Sequence, residues 1–407
     1  MEKSFEEICE DNRLYGHLRS TNLHNKKDYL NDLYNISDSF IGQIDIMFLN
    51  AFIQECESLI INAITLFEKG HFDCSCYSLR QALEVSDCMV YFSELNDIDR
   101  EKEFAKWNLA EKLEAREIGN FLNTYAENYK EIKVAFLHYF KKKKRTKARL
   151  NTIVHKQGLD TFYSFRRRFT DTQSAKEASM FNSFLKTVIT SISILRLTVD
   201  PFPALLMDEE VYYRIPDLMT EAYSNDFVHK YIGAKCINEY KKTNLYSGFY
   251  NGIVDSREKL NPSTANLAAH QFIDIDKLDE LTEQSHLLGA YDLLALIIAC
   301  LSPNITSLYM NDGFIWYRTS AIRVQRLNYS SLTIQSFKKD CNYFNEKFEN
   351  AYMSFLMPHN MNFHTFGNED FSIFIEHNLP FTKLEIALIE DKYLAETNNL
   401  RCSSEQF

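Results

Sequence analysis

Between Ile44 and Phe67 the apolar residues Phe48, Phe52, Cys56, Leu59, Ile60, Ala63, Ile64 and Phe67 recur at short, mostly helical spacings. One face of a 3.6-residue helix gathers such a set, whereas a half-buried strand would need strict alternation. Gly70 closes the segment as a C′ residue, where the backbone must turn left-handed. Phe72, Cys76, Leu79, Leu83 and Val90 then repeat the pattern. The short link predicts that 44–68 and 71–95 form two antiparallel neighbouring helices. Only 11 Gly and 7 Pro in 407 residues favour helix over sandwich or barrel.

Further helices are expected over about 99–122, anchored by Trp107, and about 125–140. A last long helix starts near Thr170, where Thr170 and Gln173 match a capping box, and buries Phe181, Phe184, Leu185, Val188, Ile192 and Leu195. Asp200-Pro201-Phe202-Pro203 breaks the pattern and marks a domain boundary. The expected organisation is therefore a lead-in at 1–40, a mainly α up-and-down helical domain at 41–200, and a mostly helical domain at 204–407. In the last, 227–240, 281–300, 331–356 and 382–396 read as helical. Asn311-Asp312-Gly313, between aromatic-rich alternating runs at 306–310 and 314–318, signals a small β-hairpin.

Nine scattered cysteines, with no CxxC pair, argue against disulfides and a zinc site and for a reducing cytoplasm. No carboxylate or histidine cluster has ligand spacing, so neither metal nor cofactor is expected. The acidic N-terminus lacks the apolar core of a signal peptide. The longest apolar run, 287–301, is shorter than the roughly 20 residues that span a bilayer, so no membrane partner is expected.

Charge is concentrated in one place. Residues 141–168, KKKKRTKARLNTIVHKQGLDTFYSFRRR, hold eleven Lys and Arg against one acid, a formal +10 inside a chain of −11. A basic island on an acidic protein can hold a polyanion. Lys141, Lys142, Lys143, Lys144, Arg145, Lys147, Lys156, Arg166, Arg167 and Arg168 are its candidate RNA contacts; the ordinary alternative is a solvated face. Arg149, Asn151 and His155 lie within it. On a regular helix Asn151 and His155 share a face, while Arg149 lies about 240° away from His155. The three converge only if Arg149 sits at or before the helix start, with the lysine run as a loop. So arranged, histidine moves the proton of a ribose 2′-OH or leaving oxygen, and arginine steadies charge on the phosphate. Arg80 and Glu84, four apart, either form an intrahelical ion pair or place Arg80 in a cleft against phosphate.

The segments GHFDCSCYSLRQALEVSDCMVYF (70–92) and ARLNTIVHKQG (148–158), followed by a long closing helix, resemble a HEPN domain over roughly 44–200. The Arg149-to-His155 spacing, five residues between, matches that family's signature. The resemblance implies a metal-independent endoribonuclease acting as a homodimer, with Arg149 and His155 catalytic, Asn151 a polar helper, and products ending in a 2′,3′-cyclic phosphate. It also implies antiviral-defence or toxin–antitoxin context, with an antitoxin or a phage-derived trigger protein as partner. Leu150 departs from the polar residue that often follows the arginine in active members. The alternative is accordingly a non-catalytic interaction or RNA-binding module regulated by its C-terminal domain, or a C-terminal half that senses a ligand and gates the first.

Overall fold

The computed structural model describes residues 3–14, 22–109, 114–162, 171–310, 313–321, 344–348, 351–356 and 372–404. Contacts divide the chain into two units, one of Met1–Tyr212 with Leu218–Ser256, the other of Tyr213–Asp217 with Arg257–Phe407.

The first unit is helical. Helices α1 (Phe5–Leu14) and α2 (Lys26–Ser37) precede a 3₁₀ turn, Ile44–Leu49. Then come α3 (Asn50–Glu68), α4 (Phe72–Glu94), α5 (Asp97–Asn108), α6 (Ala115–Thr124), α7 (Glu127–Ala135), α8 (Leu137–Val154) and α9 (Asp171–Val199). The α3–α4 hairpin forms as its apolar stripes dictate. Gly70, at φ 86°, ends α3 in a Schellman motif: its N–H donates to the Phe67 carbonyl (2.9 Å) and that of His71 to Leu66 (2.8 Å). Helix α9 packs along α4, and Phe181 stacks on Phe67 at 4.1 Å and 3°. Its segment Ala175–Val199 is long and apolar enough to cross a membrane, but most of it is buried within the unit.

Four expectations are corrected in this unit. The 99–122 region is two helices, α5 and α6. The lysine run is not a loop: it lies within α8. Lysine is a good helix former, and the run supplies Lys143 to the buried row Lys143, Thr146, Leu150 and Ile153. The chain also does not divide at the prolines. They do end α9, but the following segment folds back to complete the same core. The Tyr223 hydroxyl donates to the Ser193 carbonyl (3.1 Å) and that of Tyr240 to Leu197 (2.8 Å). Buried Arg196 pairs with Asp200 at 3.0 Å. Helices α10 (Ala234–Tyr240) and α11 (Asn244–Ser256) close the unit. The 227–240 helix is interrupted: a π turn, Val228–Ile232, ends at Gly233, at φ 89°.

The second unit carries α12 (Pro262–His270), α13 (Leu278–Glu283), α14 (Ala290–Ala299) and α15 (Lys383–Ser404) around a mixed sheet. Its strands are β1 (Phe272–Ile273), β2 (Ile305–Met310), β3 (Ile315–Thr319), β4 (Glu346–Phe348), β5 (Ala351–Leu356) and β6 (Ile373–His377). They lie in the order β1-β3-β2-β6-β5-β4, with only β1–β3 parallel. The expected β2–β3 hairpin therefore lies between β1 and β6 in a six-stranded sheet, and over the described end of the helix expected at 331–356 the chain forms β4 and β5. Strands β2 and β6 are buried along their whole length. The Asn311-Asp312 turn, Thr170 and all of 331–343 lie outside the described residues.

Candidate nucleic-acid interface

Helices α4 and α8 run antiparallel, joined by a ladder of ion pairs. Lys143 pairs with Asp87, Lys147 with Asp87 (3.4 Å) and Glu84 (3.9 Å), and Lys156 with Asp73. Three of the eleven island cations are thus neutralised inside the unit, and Lys143 is buried. These three expected RNA contacts therefore have carboxylate partners within the unit, and an ammonium against a carboxylate presents less net charge to a phosphate. Among the described residues no carboxylate lies within ion-pair distance of Lys141, Lys142, Lys144 or Arg145. Arg166, Arg167 and Arg168 lie outside the described residues.

Arg149 is in the body of α8, not before it. Its guanidinium sits over the Phe184 ring (5.6 Å to the centroid) and 3.7 Å from the Met180 Sδ, so it faces α9. His155 is the C-cap residue of α8 and exposed. That end is another Schellman motif, with Lys156 left-handed at φ 54° and the Gln157 N–H donating to the Thr152 carbonyl (2.9 Å). At about 100° per residue, Arg149 and His155 are about 120° apart around the axis. Within one chain they point away from each other, which corrects the expected convergence.

Asn151 lies on the side of α8 turned toward α4, and its Oδ1 is buried without a hydrogen-bond donor among the described residues. The ion-pair ladder sets what it faces. Asn151 is one turn beyond Lys147, and Arg80 is one turn before Glu84, so antiparallel register places Asn151 and Arg80 at the same level. Arg80 donates to Glu84 at 3.1 Å, the intrahelical pair that the spacing allowed, while its Nε is buried and unpartnered.

A cavity of about 1030 Å³ opens between α4, α6, α7 and α8. Its walls include Phe52, Trp107, Tyr129 and Phe140, and its edge carries Lys133, Lys141 and Lys144. Five lysines and two carboxylates line it, an excess of three positive charges. Cys88 also lines it, but burial, with Asp87 and Glu84 nearby, pushes its thiol up to about 11, so it is not a thiolate nucleophile at neutral pH. Sequence reading missed this groove. Trp107 was expected as a buried anchor, yet it stacks on Phe52 (5.4 Å, 27°) with 42% of its surface exposed. A half-exposed tryptophan near a lysine run is legible only once α5 and α8 are placed on α4. Among the described residues no three His, Cys, Asp or Glu side chains are grouped to hold a metal.

Comparisons of the chain with models of known families, with curated proteins and with solved structures return no match. The resemblance to HEPN domains rests on the 70–92 and 148–158 segments themselves.

Proposed function

We propose that this protein is a metal-independent endoribonuclease of HEPN type whose active site is completed only in a homodimer. The observation that carries this reading is the placement of Arg149 and His155. Both are exposed and free of ion-paired carboxylates among the described residues, yet they diverge on α8. A second copy related by a twofold axis near α8 supplies the arginine that one chain cannot bring to its own histidine. In that arrangement His155 takes the 2′-OH proton, or gives one to the 5′-oxygen that leaves. Arg149 of the other copy balances charge on the non-bridging oxygens. The exposed cations of α8 hold the strand, and a cytoplasmic location and an antitoxin or phage-derived trigger follow from the same reading. The test is cleavage of single-stranded RNA with EDTA present, followed by end-group analysis. Products with 2′,3′-cyclic phosphate and 5′-hydroxyl ends are expected; 5′-phosphate ends would refute the chemistry.

A second reading is favoured by the internal neutralisation of Lys143, Lys147 and Lys156: an RNA-binding or interaction module without chemistry. A folded dimer that binds RNA and never cuts it selects this reading.

A further inference from the structure

We propose that the groove between α4, α6 and α8 takes one unstacked nucleotide of a bound RNA strand, its base against Trp107 and its phosphate among Lys133, Lys141 and Lys144. The inference deepens the RNA-cleaving reading and rests on it for the identity of the strand. Its own support is separate. A cavity of about 1030 Å³ is at the upper end of small-ligand sites and has room for a nucleotide with its flanking phosphates. Aromatic and cationic side chains line it together: Tyr129 precedes Lys133 by one helical turn, and Phe140 precedes Lys144 by one. One face of Trp107 is covered by Phe52, and much of the indole remains open. A base has a π-face to place there, whatever its sequence. Tyr129 and Phe140, in edge-on contact at 5.4 Å, form a second aromatic wall.

The charge excess decides between classes of occupant. Glu84 and Asp87 are answered by Lys143 and Lys147, which leaves Lys133, Lys141 and Lys144 without a carboxylate among the described residues of the groove. Among the described residues the Lys133 ammonium donates to Asn123, a neutral partner that does not cancel its charge. A wholly apolar ligand would leave these cations unanswered. A phosphate on an aromatic base answers both sides together. The groove lines α8 from Lys141 to Lys147, and Asn151 and His155 follow one and two turns on along the same flank. A nucleotide seated there leads the strand toward His155.

Gly119 offers a clean test. It lines the groove in the middle of α6, and a Cβ added there meets nothing within 4 Å. Gly119→Leu therefore fills the groove while improving helix propensity. The chain has two tryptophans, so Trp316→Phe leaves Trp107 as the only reporter. In that background a six-residue oligoadenylate should quench Trp107 fluorescence, His155→Ala should quench equally, and Gly119→Leu should weaken binding about tenfold or more, the order expected for loss of one base stack. AMP should compete only at much higher concentration, since it lacks the neighbouring phosphates. Tight AMP binding without oligoadenylate binding would overturn the strand assignment. A glutamate-rich peptide that binds as well as the oligonucleotide would overturn the nucleotide assignment. RNA cleaved by Gly119→Leu with unchanged KM would sink the groove and leave the nuclease standing. Quenching by an RNA that is never cut would do the reverse.

Discussion

Lys143 of α8 is buried in the α4–α8 interface with its ammonium against the Asp87 carboxylate. The most conspicuous sequence feature, a run of four lysines, is thus partly a structural element. A lysine that packs with its stem among apolar side chains and its head on a carboxylate fixes helix register. The register it fixes sets Asn151 opposite Arg80.

That pair predicts an asymmetry. Asp87→Ala leaves Lys143 buried without its partner and should cost about 2–4 kcal/mol, somewhat below a fully buried pair because both side chains keep some solvent contact. Lys143→Met leaves Asp87 with Lys147 at 3.4 Å and should cost about 1 kcal/mol or less. Urea denaturation of both variants measures the difference; equal losses would mean that the pair does not hold the interface.

The dimer-completed site predicts complementation. Arg149→Ala and His155→Ala should each lose about 10²–10⁴-fold in cleavage without unfolding. Arg149→Lys should fail too, because an ammonium lacks the planar fork. Mixing and re-associating the two dead variants creates heterodimers in which one of two sites is intact, so about a quarter of wild-type activity should return. No recovery on mixing, with heterodimers verified by mass spectrometry, rules out a site shared across the twofold.

Salt dependence separates free from tied cations. If Lys141, Lys142, Lys144, Arg145 and Arg149 each meet a phosphate, the log–log slope for single-stranded RNA should be about −3.5. Replacing Lys141, Lys142 and Lys144 with Ser should reduce it to about −1.4. Lys147→Ser should leave the slope nearly unchanged, since that ammonium already lies 3.4 Å from Asp87. Titrations at several salt concentrations decide; a larger change from Lys147 than from Lys144 would reverse the assignment.

In the second unit buried His377 and half-buried Asp292 predict opposing pH slopes. Burial pushes His377 down from 6.5 to about 4, against the Leu379 carbonyl and Glu385, which raise it. Its Nε2 lies 2.9 Å from the Ser354 hydroxyl and its Nδ1 2.7 Å from the Leu379 carbonyl. As pH falls from 6.5 towards 4, the unfolded chain takes up the proton that folded His377 refuses, and stability is lost. Burial pushes Asp292 up from 3.8 to about 6, with Asp217 adding to it and the Tyr317 hydroxyl (2.8 Å) opposing. As pH rises from 3.8 to 6, the unfolded carboxyl ionises first, and stability is again lost. Each effect is on the order of 3 kcal/mol over its window. Relative to wild type, Asp292→Asn should therefore gain stability as pH rises from 4 to 6, and His377→Gln should lose less on acidification. Urea midpoints read from Trp316 in a Trp107→Phe background test both, and parallel pH profiles for all three proteins would contradict both shifts.

The sequence by itself determined the α3–α4 hairpin, the long α9 and the end of α9 before Pro201, because each is written in local periodicity or backbone chemistry. Spacing of three and four, a glycine at a left-handed position, and a proline that cannot continue a helix act over a few residues. It also located the basic island, and it offered Arg80–Glu84 as an ion pair. Tertiary structure decided what those residues do. Whether Lys143 faces water or Asp87 depends on a helix 56 positions away in the chain. Whether Arg149 meets His155 depends on where α8 begins, which the buried row through Lys143 and Leu150 sets. The six-stranded sheet was hidden for a related reason. Strand β6 is buried along its whole length, so it shows no alternation of buried and exposed positions, and only pairing with the distant β2 and β5 makes it a strand. The division of the chain at Arg257 was equally non-local: Tyr223 and Tyr240 return across the prolines to hydrogen-bond α9, and no pattern within 200–203 encodes that return.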